Sequence, residues 1–294
     1  MNSVPWDLVA TFLAVMRSGS LSGASRELGV AQPTARRQIE QLEEELGVAL
    51  FTRSQAGLAP TEHALAALPY AESMAGVAEA LVRSVSASSR EDAGTVRVTC
   101  SEVIGVDVLP PMLAALARAH PRIHNELSAT NANEDLLRRD ADIAIRMVKP
   151  AQSALVAKKV ASIEVGLFAS EKYLDAHGTP KTFDALSNHA LIGRDRDPAF
   201  YALLGSMGLR VRRQDFALRT DSDTAQLGAI RAGLGIGVCQ APLAARGPKL
   251  VHVLPKLGVA LPAWVVTHED LRASRRISVV FDHLARSLAA YALR

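Results

Sequence analysis

The chain of 294 residues is poor in the residues that secreted, metal-bound or catalytic proteins display. Its two cysteines, Cys100 and Cys239, lie far apart and form neither a Cys-x-x-Cys pair nor a Cys/His cluster. A disulfide framework and a zinc site are therefore excluded, and a reducing compartment is the default. No apolar run reaches the roughly 18 residues a membrane helix needs, and Met1 to Asp7 lacks the basic and apolar segments of a secretory signal. The expectation is a cytoplasmic protein that neither spans a membrane nor is exported. The eight histidines form no helical metal pair, because Pro121 interrupts His120 and His124. Gly19-Ser-Leu-Ser-Gly23 is not a nucleophile elbow. Gly233-Leu-Gly-Ile-Gly237 leaves a helix and enters a strand, the reverse of a pyrophosphate site, and suits a helix stop with a tight turn. With no catalytic constellation and no cofactor motif, the chain is expected to be neither an enzyme nor a cofactor protein.

Positive charge is missing where it first seems needed. The net charge is +3, yet residues 1–94 hold seven Arg, no Lys and eleven acids, a net of −4, and the remaining residues carry +7. A nucleic-acid reading of the N-terminal part must therefore rest on the placement of its charges. The length suits two or three folded units, and no period of 20 to 50 residues repeats.

Leu8, Val9, Phe12, Leu13 and Met16 recur at helical spacing, and Gly19-Ser20 closes that helix and caps a short one over residues 21–28. Gly29-Val30-Ala31 then turns into a third helix from about Gln32-Pro33, with Ala35, Ile39, Leu42 and Leu46 as its buried stripe. Two helices around a Gly-containing turn, with small Ala24 and Ser25 at the crossing, fit a helix-turn-helix, or more plainly the corner of a helical bundle. Residues 49–53 and 57–61 form a hairpin wing. From Glu62 to about Val85 the apolar positions 65, 68, 71, 75, 78, 82 and 85 mark the seam of a dimerising helix, which Pro69 should kink. Ser84 to Gly94 is the hinge, and the rest alternates strand-like and helix-like runs, an α/β composition.

Phe12-Leu13-Ala14-Val15, Gly19-Ser20-Leu21, Ala24-Ser25-Arg26-Glu27-Leu28, Gln32-Pro33, Arg37-Gln38-Ile39, Leu42 to Gly47, Leu50 to Arg53 and Thr61-Glu62 stand in the register of one family. The N-terminal part resembles the LysR-type transcriptional regulators. Ala141-Asp-Ile-Ala-Ile-Arg146, Arg231 to Gly237 and His268 to Arg276 extend the likeness through the chain. Ala31, Arg36 and Ala64 depart from the usual residues at their positions. The resemblance implies an α+β chain: a winged helix-turn-helix over residues 1–61, a linker helix and hinge over 62–94, and a two-lobed domain similar to periplasmic binding proteins over 95–294. Lobe 1 would hold 95–162 and 268–294, lobe 2 would hold 163–267, and crossovers near 162 and 267 would make the hinge. It also implies double-stranded DNA with an interrupted palindrome, a small-molecule effector, self-association as a dimer or dimer of dimers, and RNA polymerase as partners.

At about 100° per residue the third helix turns Arg37, Gln41 and Glu44 away from its buried stripe, with Thr34 and Arg36 flanking that outer face. Gln32, Pro33, Thr34, Arg36 and Arg37 are thus the candidate groove residues, Arg to guanine and Gln to adenine. Arg53, Ser54 and Gln55 in the wing would meet phosphate. Effector candidates cluster at strand-to-helix junctions: Cys100, Ser101 and Glu102, Arg146, and Thr220, Asp221 and Ser222. N-capping explains Ser101 and Ser222 equally well. An anionic or zwitterionic effector fits this set, while a regulator without effector response and a cysteine redox sensor are the alternatives.

Overall fold

The computed structural model describes residues 4–54, 57–85, 92–131, 141–150, 154–209 and 211–293. These fall into two compact units divided near Ser84.

In the first unit, α1 (Trp6–Ser18), α2 (Leu21–Leu28) and α3 (Gln32–Leu46) are followed by β1 (Phe51–Ser54), β2 (Gly57–Pro60) and α4 (Glu62–Val85). The Ser20 side chain caps α2 by accepting from Gly23 N at 3.1 Å. Leu8, Phe12, Ala24, Ile39, Leu42 and Leu50 are buried in one core. Ala24 and Ala35 are fully buried, and only small side chains let the three helices approach so closely. The wing is tied to the turn between α1 and α2: Leu58 N donates to Gly19 O at 3.0 Å, and a Cβ at Gly57, whose φ is +125°, would stand 2.8 Å from that oxygen. Glycine is required there.

Two expectations change. Leu46, assigned above to the buried stripe, is 43% exposed, because it is the last residue of α3 before Gly47 turns the chain. On α4 the face that packs into the core is Ala64, Ala67, Leu68, Ala71 and Ala75. Of the expected seam, Leu68, Ala71 and Ala75 pack into the core while Leu65 and Val82 stay exposed, and Tyr70, Met74, Val77 and Leu81, outside that seam, form a separate exposed row at spacings of four, three and four. Intramolecular packing takes Leu68 and those alanines and leaves the large side chains of the row outside.

In the second unit the described strands form one nine-stranded sheet. Its first half is β3 (Gly94–Cys100), β4 (Ile123–Ala129) and β5 (Ile143–Arg146), all parallel, with α5 (Leu109–Ala119) between β3 and β4. Two long antiparallel strands, β6 (Leu155–Ser170) and β11 (Val259–His268), run through the middle. The second half holds α6 (Glu171–His177), β7 (Leu191–Gly193), α7 (Pro198–Ser206), β8 (Leu218–Arg219), α8 (Asp223–Ala232), β9 (Ile236–Gln240), α9 (Ala241–Ala244) and β10 (Leu250–Val253). The C-terminal α10 (Arg275–Ala292) packs on the first half, where Ile277, Phe281, Leu284 and Leu288 join the core of β3 and β5. A separate core around Leu167, Phe200, Leu204 and Ile236 serves the second half. These two cores define two lobes on one sheet.

The strand-like runs at 163–169 and 264–267 form only the later parts of β6 and β11. Lys158-Lys159 and Pro262 break the apolar pattern of their earlier parts, and the ladder shifts register between Ala263 and Trp264, beside that proline. α5 is preceded by a π turn over Ile104–Val108. Pro110 and Pro111 have no N–H for the ladder that would carry a regular helix from residues 104–108 into α5, and a Cβ at Gly105 would lie 2.6 Å from Ala129 Cβ.

Candidate DNA interface and effector cavity

The first site is the outer face of α3. Ala35, Ile39 and Leu42 bury its inner face. Gln38 fixes the rotation of the helix by accepting from Thr11 Oγ1 at 2.8 Å and donating to Asp7 Oδ2 at 3.1 Å. Gln32, Pro33, Arg36 and Arg37 are consequently exposed and Thr34 is half-buried. Neither arginine meets an acidic partner among the described residues, so both cations point to solvent at one end of a helix whose acids lie further along. Glu43 has a task that sequence reasoning missed: its Oε1 accepts from Leu50 N at 2.7 Å and Phe51 N at 3.1 Å, holding the wing against α3. Arg53 and Ser54 lie on β1, and Gln55 lies outside the described residues.

The second site is a cavity of about 880 Å³ in the second unit, lined from both lobes. Ser101 and Arg146 of the sequence candidates line it; Cys100, Glu102, Thr220, Asp221 and Ser222 do not. Cys100 is fully buried in the core of the first lobe. The three residues before α8 serve that junction: Thr220 Oγ1 accepts from Ser222 N at 3.2 Å, Ser222 Oγ accepts from Ala225 N at 3.2 Å, and Asp221 Oδ1 takes the backbone N–H groups of Asp195 and Arg196 at 2.9 and 3.1 Å. Sequence reasoning missed the apolar wall of Phe200, Leu203, Leu227, Val238 and Leu243.

Of the charged side chains that line the cavity, Arg194 is compensated from within it. Arg194 donates to Asp197 at 2.9 Å and to Asp223. Burial pushes the Asp223 carboxyl above the usual range, with Arg194 working against that rise. Burial also raises the Glu102 carboxyl, but hydrogen bonds from Ser222 and from Thr224 and Asp223 outweigh it, leaving the group below its ordinary value. Asp107 pairs with Arg231 at 3.4 Å, and the Tyr291 hydroxyl donates to Gln240 at 2.7 Å, two further ties between the lobes. Cys239 lines the cavity, and burial pushes its thiol up to about 12 despite nearby Arg231. A thiol so placed carries almost no thiolate at neutral pH, which weighs against redox sensing.

Two family profiles match this arrangement. Residues 6–65 match the bacterial regulatory helix-turn-helix protein of the lysR family, and residues 89–289 match the LysR substrate binding domain. The chain belongs to the LysR family. This LysR-type transcriptional regulator is 28% identical over 257 residues to an HTH-type transcriptional repressor of Pseudomonas aeruginosa, covering 84% of this chain and 80% of the relative. It is 26% identical to the HTH-type transcriptional activator TtdR of Escherichia coli, covering 92% and 89%. Among solved structures, the LysR family regulator CbnR superposes with a TM-score of 0.69 at 22% identity, covering 96% of this chain and 99% of CbnR. CbnR in complex with its target DNA gives 0.66 at 21% identity, with the same coverage. The LysR-type chain thus has the family's helix-turn-helix followed by its effector-binding domain, and among the described residues no helix is long and apolar enough to cross a membrane.

Proposed function

We propose that this regulator inserts the first turn of α3 into the major groove of an interrupted palindromic operator, with Gln32, Thr34, Arg36 and Arg37 facing base edges and Pro33 starting the helix. The exposed setting of Arg36 and Arg37, with no acidic partner among the described residues, carries this reading. Arg53, Ser54 and Gln55 of the wing supply phosphate contacts. The row Tyr70, Met74, Val77 and Leu81 packs against a second copy, since one helix-turn-helix reads only half of a palindrome, and two such dimers form the tetramer. The DNA-binding domain covers residues 1–61, the linker 62–94 and the effector domain 95–294. A small molecule in the 880 Å³ cavity, beside Ser101 and Arg146, shifts operator binding or the contact with RNA polymerase. The protein acts in the cytoplasm and performs no catalysis.

The test is fluorescence anisotropy of the purified protein on DNA from upstream of its own gene, titrated over salt, with Arg37→Ala alongside. Specific, salt-sensitive binding that the variant loses is the expected result. Equal weak binding of both proteins to any DNA overturns it.

A further inference from the structure

The first N–H groups of a helix have no acceptor within the helix. At α8 the cap residue and a carboxylate from the other lobe meet at this end. Ala225 N donates to the Ser222 cap at 3.2 Å. The carboxylate of Glu102 lies beside Asp223 and Thr224, whose polar groups help to hold it below its ordinary value. The Ser222 hydroxyl shares its proton between the two Glu102 oxygens at 3.0 and 2.9 Å.

Glu102 comes from the other lobe, directly after β3, 120 residues before Ser222. A second tie runs beside it and is independent of the carboxylate. Asn131 Oδ1 accepts from Glu102 N at 3.1 Å, and Asn131 Nδ2 donates to Asp221 O at 3.3 Å. The loop that carries Glu102 is therefore held in place by its backbone, and its side chain is presented to α8.

We infer that Glu102 is a specificity-determining latch: its carboxylate fills the place that the acid group of a ligand would take at α8 and joins the two lobes there. An acidic effector reaches α8 only by displacing Glu102, and Arg194 offers no alternative because Asp197 and Asp223 already neutralise it. A ligand accommodated by the wild-type protein rests instead on the apolar wall of Phe200, Leu203, Leu227, Val238 and Leu243 and places no acid at α8. This last step rests on the reading of the cavity as the effector site; the latch itself does not.

The experiment measures thermal unfolding of the full chain for wild type, Glu102→Ala and Glu102→Gln in rising sodium acetate, with sodium chloride and acetamide as controls. Both variants should melt lower than wild type by about 2 °C or more. Acetate should raise the Tm of Glu102→Ala along a saturating curve, because a free carboxylate then occupies the vacated place. Chloride and acetamide should not do so, and acetate should add nothing beyond chloride for wild type or for Glu102→Gln, whose amide still fills the space. Equal acetate effects on wild type and Glu102→Ala overturn the latch, as does a Glu102→Gln protein that melts like wild type. If Glu102→Ala does not fold, the Glu102→Gln comparison decides. A screen of neutral and acidic compounds on wild type tests the cavity separately: silence there sinks the effector reading and leaves the acetate result standing.

Discussion

Replacing Glu43 by alanine should loosen the wing from α3. Its Oε1 accepts two backbone N–H groups, Leu50 N at 2.7 Å and Phe51 N at 3.1 Å, and Leu50 is 1% exposed, so water has little access to replace the acceptor. A hydrogen bond to a charged group contributes roughly 1.5–3 kcal/mol net. Glu43 is only half-buried, so the lower end applies, and the pair together is worth about 2 to 4 kcal/mol. Alanine returns a few tenths of a kcal/mol through its better helix propensity. The measurement is urea unfolding of the full chain followed by Trp6 fluorescence in a Trp264→Phe background, since the chain has only these two tryptophans and Trp6 lies in the first unit. Glu44→Ala is the control, because that side chain is exposed on the same helix. Glu43→Gln keeps one acceptor oxygen without the charge and should fall between the two. A Glu43→Ala protein within about 0.5 kcal/mol of the Glu44→Ala control would refute the reasoning, since that is the spread of ordinary surface substitutions.

Three further outcomes are expected. Arg37→Ala should weaken operator binding by about 1–3 kcal/mol with the fold unchanged, and anisotropy beside circular dichroism checks both. Met74→Glu with Val77→Glu puts charge into the exposed apolar row of α4 and should turn dimer into monomer in sedimentation velocity; an unchanged oligomer places the interface elsewhere. Cys239, with its thiol pushed up to about 12, should resist iodoacetamide in the native protein at pH 7.5 and react after denaturation, as mass spectrometry of the labelled peptide would show.

How legible each element was depended on whether its cause lay nearby in the chain. Helix α2 was readable to its ends because Ser20 caps it and Gly29 stops it, both within one turn. The end of α8 at Gly233, with φ +84°, follows the same logic. The earlier parts of β6 and β11 were not legible, because the two strands hold each other across the sheet and have no apolar pattern of their own there. Ser101 and Arg146, read from the sequence as strand-end residues, line the cavity. The apolar wall was not legible, because an apolar residue on α7 or β9 looks the same in sequence whether it faces core or cavity.

The sequence alone determined the family, the helix-turn-helix with its wing, and the candidate cations on α3, because capping residues, glycine turns and helical periods act over a few residues. The tertiary structure decided which apolar face of α4 is spent on the core, that Glu43 belongs to the wing, and that Glu102 meets Ser222 across 120 residues. Those pairings are set by how the packed elements cross, and no local pattern carries them.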